Sequence, residues 1–232
     1  MNTRMVEVRA KVMKQNDLLA RSLRKRFQQH NTCVIGLVSS PGSGKTAFLE
    51  KVLAGLSRNY RVAALVGDLA TENDAARLQC ATPNVKQITT GTICHLDASM
   101  IEKALEDWRL DDIDFLFIEN VGNLVCPSSY DLGEELRLVL LSATEGEDKP
   151  LKYPTIFNSS DIAIITKIDM ADAAEFDLAA ARRNINSVSP GMKIFEVSSK
   201  TGLGMEEIFS FFDAQLTRPH IPVPSTVFAF PE

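Results

Sequence analysis

The sequence predicts an α/β fold, a three-layer sandwich in which helices cover both faces of a mainly parallel sheet of about seven strands. Three observations carry that expectation. Short β-rich runs recur along the chain, several apolar throughout rather than alternating, as strands covered on both faces must be. Helical patterns separate most of these runs, which implies crossovers between parallel neighbours. Residues 4 to about 30 contain neither Gly nor Pro, and they open the chain with a separate amphipathic helix.

In that first segment Val8, Val12, Leu19, Leu23 and Phe27 recur at steps of four and seven, one face of a helix. Its basic residues (Lys11, Lys14, Arg21, Arg24, Lys25, Arg26) read as a solvated face. Strands are expected at 32–39, 61–67, 84–90, 114–120, 136–143, 161–169 and 192–199. Helical patterns lie at about 45–58, 72–80, 97–108, 171–186 and 204–216. Together these make one domain over 31–216, preceded by the helix of residues 1–30. Pro219, Pro222, Pro224 and Pro231 end the pattern, and 217–232 reads as an extended tail.

A chain of 232 residues with 45% hydrophobic side chains can bury a substantial core. Its net charge of −5 gives no general attraction for nucleic acid or anionic membrane. No secretory leader and no apolar run of spanning length is evident, so neither export nor membrane insertion is expected. Four scattered cysteines fit reduced thiols in a cytoplasmic protein better than a disulfide framework.

"VSSPGSGKTAFLE" runs from an apolar strand through a Gly-rich turn into a helix. Gly42 and Gly44 let successive N–H groups of Ser43 to Ala47 turn toward an anion, and the helix start adds its dipole. Lys45 is expected to reach the β- and γ-phosphates and the Thr46 hydroxyl to ligate Mg²⁺. Ser39 stands where the usual loop begins with glycine, a position that closes the strand before the anion nest.

"IITKID" ends a later strand, at the edge where loops meet ligands. Asp169 there can accept from the N1–H and exocyclic amine of guanine, whereas adenine presents an acceptor at N1. GTP or GDP is therefore the expected nucleotide. The Lys167 stem can lie on the base, and Ser199 and Lys200 of "VSSKTG" can meet O6. Thr166 replaces the asparagine usual in this motif. In "LFIENVGN", Glu119 suits the acid that orients Mg²⁺ or its waters, and the Gly122 N–H suits the γ-phosphate. Asp68 and Asp74 read either as neighbours of Mg²⁺ or as ordinary helix-start acids.

"SPGSGKT", "TGTICHLDA", "FIENVGNLVCP" and "ITKID", in that order, resemble the hydrogenase maturation GTPases of the HypB type, over about residues 32–215. The resemblance implies a P-loop NTPase fold of the SIMIBI type, shared with the urease chaperone UreG. It also implies a GTPase that supports nickel insertion into [NiFe]-hydrogenase, with a hydrogenase large-subunit precursor and an accessory nickel chaperone as partners. By the same resemblance Cys94, His95 and Cys126 bind Ni²⁺ or Zn²⁺. The N-terminal cysteine motif and histidine-rich tract of some members do not occur, so metal chemistry is expected within the GTPase domain.

Thiolate and imidazole suit both metals. Side chains of adjacent residues in an extended stretch diverge, so one chain is expected to wrap a single ion poorly. A site completed across a homodimer follows, assembled when GTP orders the flanking loops. Cys33 and Cys80 read as small core or surface thiols. With no glutamine or arginine finger evident, turnover is expected to be slow, on the order of 10⁻⁴ to 10⁻² per second. Lys149 and Lys152 are candidates to lend charge across a dimer, against the plainer reading of a solvated loop. Three other functions stay open: nickel delivery to urease, a regulatory sensor of nucleotide and metal, and a small-molecule kinase.

Overall fold

The computed structural model describes residues 3–69 and 73–216. The tail at 217–232 lies outside the described residues, as do residues 70–72. Helix α1 (Thr3–His30) is followed by β1 (Cys33–Ser39), α2 (Lys45–Leu56), β2 (Val62–Asp68), α3 (Asn73–Gln79), β3 (Val85–Thr89) and α4 (Ala98–Ala104). Next come β4 (Phe115–Glu119), β5 (Leu136–Ser142), α5 (Lys149–Lys152), α6 (Pro154–Asn158) and β6 (Ile162–Thr166). The described chain ends with α7 (Leu178–Val188), β7 (Lys193–Glu196) and α8 (Met205–Asp213).

The seven strands form one sheet in the order β3-β2-β4-β1-β5-β6-β7, and every pairing is parallel. Its inner strands are buried on both faces, which is why their sequences are continuous apolar runs. Alternate residues separate the layers. Ile35, Leu37, Ala64, Val66, Phe115 and Phe117 pack beneath α2 and α8, while Val34, Ala63, Leu65, Leu116 and Ile118 pack beneath α1 and α4. On the far half of that second face, Val139, Leu141, Ala163 and Ile165 meet α6 and α7. Phe212 of α8 meets Phe115 and Phe117 edge to face, with ring centroids 6.0 and 5.5 Å apart.

Helix α1 buries Ala20, Leu23 and Phe27, but Val12 is 49% exposed, and the side chain of Val8 lies outside the described ones. The packed stripe instead begins at Asn16, a polar residue that apolar periodicity passes over. Its amide donates to Asp131 O (2.9 Å) and accepts from Ala98 N (2.9 Å), satisfied at both ends and joining α1 to α4 and to the loop before β5. Arg24 fixes the same loop through Asp131 Oδ1 at 2.6 Å.

Two expected helix boundaries move, and one expected loop is helical. The pattern at 97–108 yields a helix only to Ala104, and that at 171–186 begins only at Leu178, where Asp177 caps the helix by accepting from Ala180 N (2.9 Å). The "DKPLKYP" segment is two short helices rather than a solvated loop; Pro150 and Pro154 occupy first-turn positions, where a missing N–H costs no hydrogen bond.

Because all strands run the same way, their carboxyl ends share one edge. β1 and β4 are neighbours, and the connections that leave them, through α2 to β2 and across to β5, depart to opposite faces of the sheet and open a crevice at their carboxyl ends. The loops after β1, β2, β4, β6 and β7 carry the candidate nucleotide residues to that edge.

Candidate functional site: a phosphate loop beside a cysteine–histidine cluster

Gly42 and Gly44 adopt left-handed backbone angles (φ +75° and +91°) and lead into α2 at Lys45, an arrangement that directs N–H groups inward. Ser39, the departure from the glycine pattern, has a role of its own: its hydroxyl accepts from Lys45 Nζ at 2.8 Å and contacts Ser43 Oγ. Lys45 and Thr46 are both buried, whereas Ala47 is half-buried. Burial lowers the Lys45 pKa, and the charges of Glu119, Asp74 and Glu145 oppose that shift.

Glu119 ends β4. One carboxylate oxygen accepts from Thr46 Oγ1 at 2.8 Å, and the other is buried with no partner. Burial raises its pKa to about 7, with Lys45 and the Thr46 hydrogen bond acting the other way. A buried carboxylate with an orphaned oxygen beside a hydroxyl is a donor set that fits Mg²⁺, so the residues present suit that ion. Asp74, in the first turn of α3, acts electrostatically on both Lys45 and Glu119. Asp68, at the end of β2, accepts from Leu69 N at 2.6 Å. Gly122 approaches the phosphate loop so closely that a Cβ there would lie 2.9 Å from Pro41 Cα.

At the next strand ends, Lys167 has a left-handed backbone (φ +57°) and donates from Nζ to Gly42 O at 2.7 Å. Thr166 Oγ1 donates to Ser43 O at 2.6 Å, so two consecutive residues tie the β6 loop to the phosphate loop. Asp169 follows on an exposed 3-10 turn. Ser199 and Lys200 follow β7, which pairs with β6, so they share the sheet edge with Asp169.

Cys94, His95 and Cys126 converge within one chain, with donor atoms all within 4.8 Å of one another. This corrects the expectation that adjacent residues would diverge. Residues 91–95 form turns rather than an extended strand, starting from Gly91 at φ +62°. A tetrahedral ion with ligands at about 2.0–2.3 Å needs donors roughly 3.3–3.8 Å apart, a modest adjustment. The two cysteines form no disulfide, and their sulfurs are 2.9 Å apart. His95 stacks on Tyr130 (centroids 3.9 Å apart), and its Nδ1 is buried without a partner. Burial lowers its pKa against the opposing charge of Asp97, which favours the neutral, ligating imidazole. Asp97 itself caps α4, accepting from Met100 N at 3.0 Å. Cys33 is a core thiol whose pKa burial pushes up to about 12, and Cys80 is exposed and apart from the cluster.

Residues 33–196 match the CobW/HypB/UreG nucleotide-binding domain. The chain belongs to the CobW/HypB/UreG family. Within that family it is of the HypB type. It is 42% identical over 213 residues to the hydrogenase maturation factor HypB of Azotobacter chroococcum, covering 92% of this chain and 70% of that one. The hydrogenase/urease maturation factor HypB of Helicobacter hepaticus is also 42% identical, over 92% of this chain and 89% of its own. The crystal structure of Helicobacter pylori HypB in complex with nickel superposes with a TM-score of 0.81 at 43% identity, covering 87% of this chain and 94% of that one. A nucleotide-binding domain and a HypB-type fold are thus established.

In this HypB-type chain two asparagines that sequence reasoning passed over join the cluster to the β4 loop. Asn120 Oδ1 accepts from Leu96 N (3.0 Å) and Val121 N (2.9 Å). Asn123 donates to Cys94 O (3.3 Å) and accepts from Val125 N (2.9 Å). Both sit in "FIENVGNLVC", between Glu119 and Cys126, and that position between two candidate sites was the available signal. Tyr130, the stacking partner of His95, carried no such signal.

Proposed function

We propose that this chain is a GTP-hydrolysing metallochaperone that supports nickel insertion into [NiFe]-hydrogenase. The observation that carries the reading is the short segment from Glu119 to Cys126, which joins the phosphate side of the crevice to a cluster of two thiols and an imidazole. Nickel is the cargo, and the relative from Helicobacter pylori was crystallised with that metal. Zn²⁺ suits the same donors and is the natural competitor.

In this reading Asp169 selects guanine, Lys167 supports the ring, and Ser199 and Lys200 meet O6. The N–H groups of residues 42–47 cradle the phosphates. Thr46 and Glu119 hold Mg²⁺, with Asp68 and Asp74 beside it; the ion, when bound, offsets charge on the β- and γ-phosphate oxygens. Lys45 transfers its hydrogen bonding from Ser39 to the phosphates, and the Gly122 N–H meets the γ-phosphate. In-line attack of water gives GDP and phosphate, slowly in the absence of a partner. Three ligands from one chain leave a fourth position for a second copy or for the acceptor, so metal binding and dimerisation are linked. The reaction belongs in the cytoplasm; no helix among the described residues is long and apolar enough to cross a membrane.

The client is tested directly. Nickel-loaded protein is mixed with nickel-free hydrogenase precursor, or with urease apoprotein, in the presence of GTP or GDP. GTP-dependent nickel transfer to the hydrogenase precursor is the expected result. GTP-dependent transfer to urease alone assigns the second client, which the naming of the Helicobacter hepaticus relative keeps in view. Transfer to neither contradicts delivery and favours a sensor of nucleotide and metal.

A further inference from the structure

Thr166 offers a distinctive hydrogen-bonding inventory at the edge of the proposed base pocket. A threonine hydroxyl has one proton to donate. Here the hydroxyl is 2.6 Å from Ser43 O, with Leu141 O the next acceptor at 3.5 Å, and the residue is only 2% exposed. That single proton therefore braces the phosphate loop. The hydroxyl also lies at the seam between the two loops: a Cβ on Gly44 would be 4.0 Å from Thr166 Oγ1 and 3.6 Å from Lys167 Cε.

A guanine whose N1–H and amine meet Asp169 must turn its five-membered ring toward the phosphate loop, because ribose and phosphates attach through N9. N7 belongs to that ring and is an acceptor only. Thr166, with its proton committed, can offer N7 nothing but lone pairs. An amide at this position would have two N–H donors, one for Ser43 O and one for N7.

We propose that Thr166 makes this protein indifferent to N7 of the base: the residue braces the phosphate loop, and guanine is recognised through its other edge. The inference rests on the guanine reading above and narrows it to a nucleotide class, guanine nucleotides with or without a nitrogen at position 7.

The test is equilibrium competition of GDP, 7-deaza-GDP and ADP against a fluorescent GDP, on the unaltered chain and on Thr166→Val and Thr166→Asn. The unaltered chain is expected to bind GDP and 7-deaza-GDP within threefold of each other. Thr166→Val, which keeps the shape and removes the donor, should weaken both by the same factor. Thr166→Asn should create a preference for GDP over 7-deaza-GDP of about three- to tenfold, the worth of one net hydrogen bond. A loss of more than threefold for 7-deaza-GDP on the unaltered chain overturns the inference. So does a Val variant that weakens GDP alone, or an Asn variant with no new preference. If ADP competes as well as GDP, the guanine reading fails with it; normal GDP preference with a 7-deaza loss overturns only the N7 inference.

Discussion

Glu119 concentrates the energetic conflict of the site. Its carboxylate is buried beside Lys45, one oxygen bonded to Thr46 and the other to nothing, and its pKa is raised to about 7. In the unfolded chain the same group titrates near 4.5. The folded state therefore holds the proton more tightly: its contribution to stability is fully present below 4.5 and is lost as pH rises through about 7. Metal-free, nucleotide-free protein should lose about 3 kcal/mol from this group between those limits. Glu119→Gln should remove that slope in urea unfolding at a series of pH values, and an identical slope in both proteins would contradict the assignment. At the base, Asp169→Asn should weaken GTP more than XTP, because an amide mismatches the guanine amine but suits the xanthine carbonyl. Equal losses in competition binding would count against Asp169 as the guanine reader.

At the scale of elements, the segment from β4 to Cys126 is the unit that matters. Asn123 is bonded at both ends of its amide, to the carbonyl of Cys94 and the N–H of Val125, and so holds the two cysteine loops together. Asn123→Ala should lower Ni²⁺ affinity about tenfold, the usual scale for a group that orients a ligand. GDP affinity, measured on the same preparation, should be unchanged; parallel loss of both would indicate a general disturbance of the loop. The elements themselves were largely legible. The five inner strands were evident because burial on both faces demands uninterrupted apolar runs such as "CVIGLVS". The start of α7 was not, since Asp177 declares itself a cap only once the chain before it is known to turn. Pro150 and Pro154 looked like loop punctuation because a first-turn proline and a loop proline are identical in sequence. Nor was the convergence of Cys94, His95 and Cys126 within one chain, which depends on the turn at Gly91. Asn120 and Asn123 were equally obscure, because an amide is defined by neighbours that only the tertiary structure supplies.

For the whole molecule, the parallel sheet brings the candidate nucleotide residues to one edge and leaves the cysteine–histidine cluster on the same side as the phosphate loop. Exposed apolar residues flank that cluster: Val125, 61% exposed, adjoins Cys126, and Ile93, 40% exposed, adjoins Cys94. Linked binding requires that the GTP and GDP states differ in affinity for metal or for a second copy, since a ligand that binds both states equally shifts nothing. The direct measurement is Ni²⁺ binding by competition with a chromophoric chelator, on protein loaded with GDP or with a non-hydrolysable GTP analogue, with mass followed by light scattering. The account predicts that the analogue-bound protein forms a dimer and that its nickel affinity or stoichiometry differs from that of the GDP form. Identical mass and identical nickel binding in the two states would contradict it, leaving Cys94, His95 and Cys126 as a static metal site.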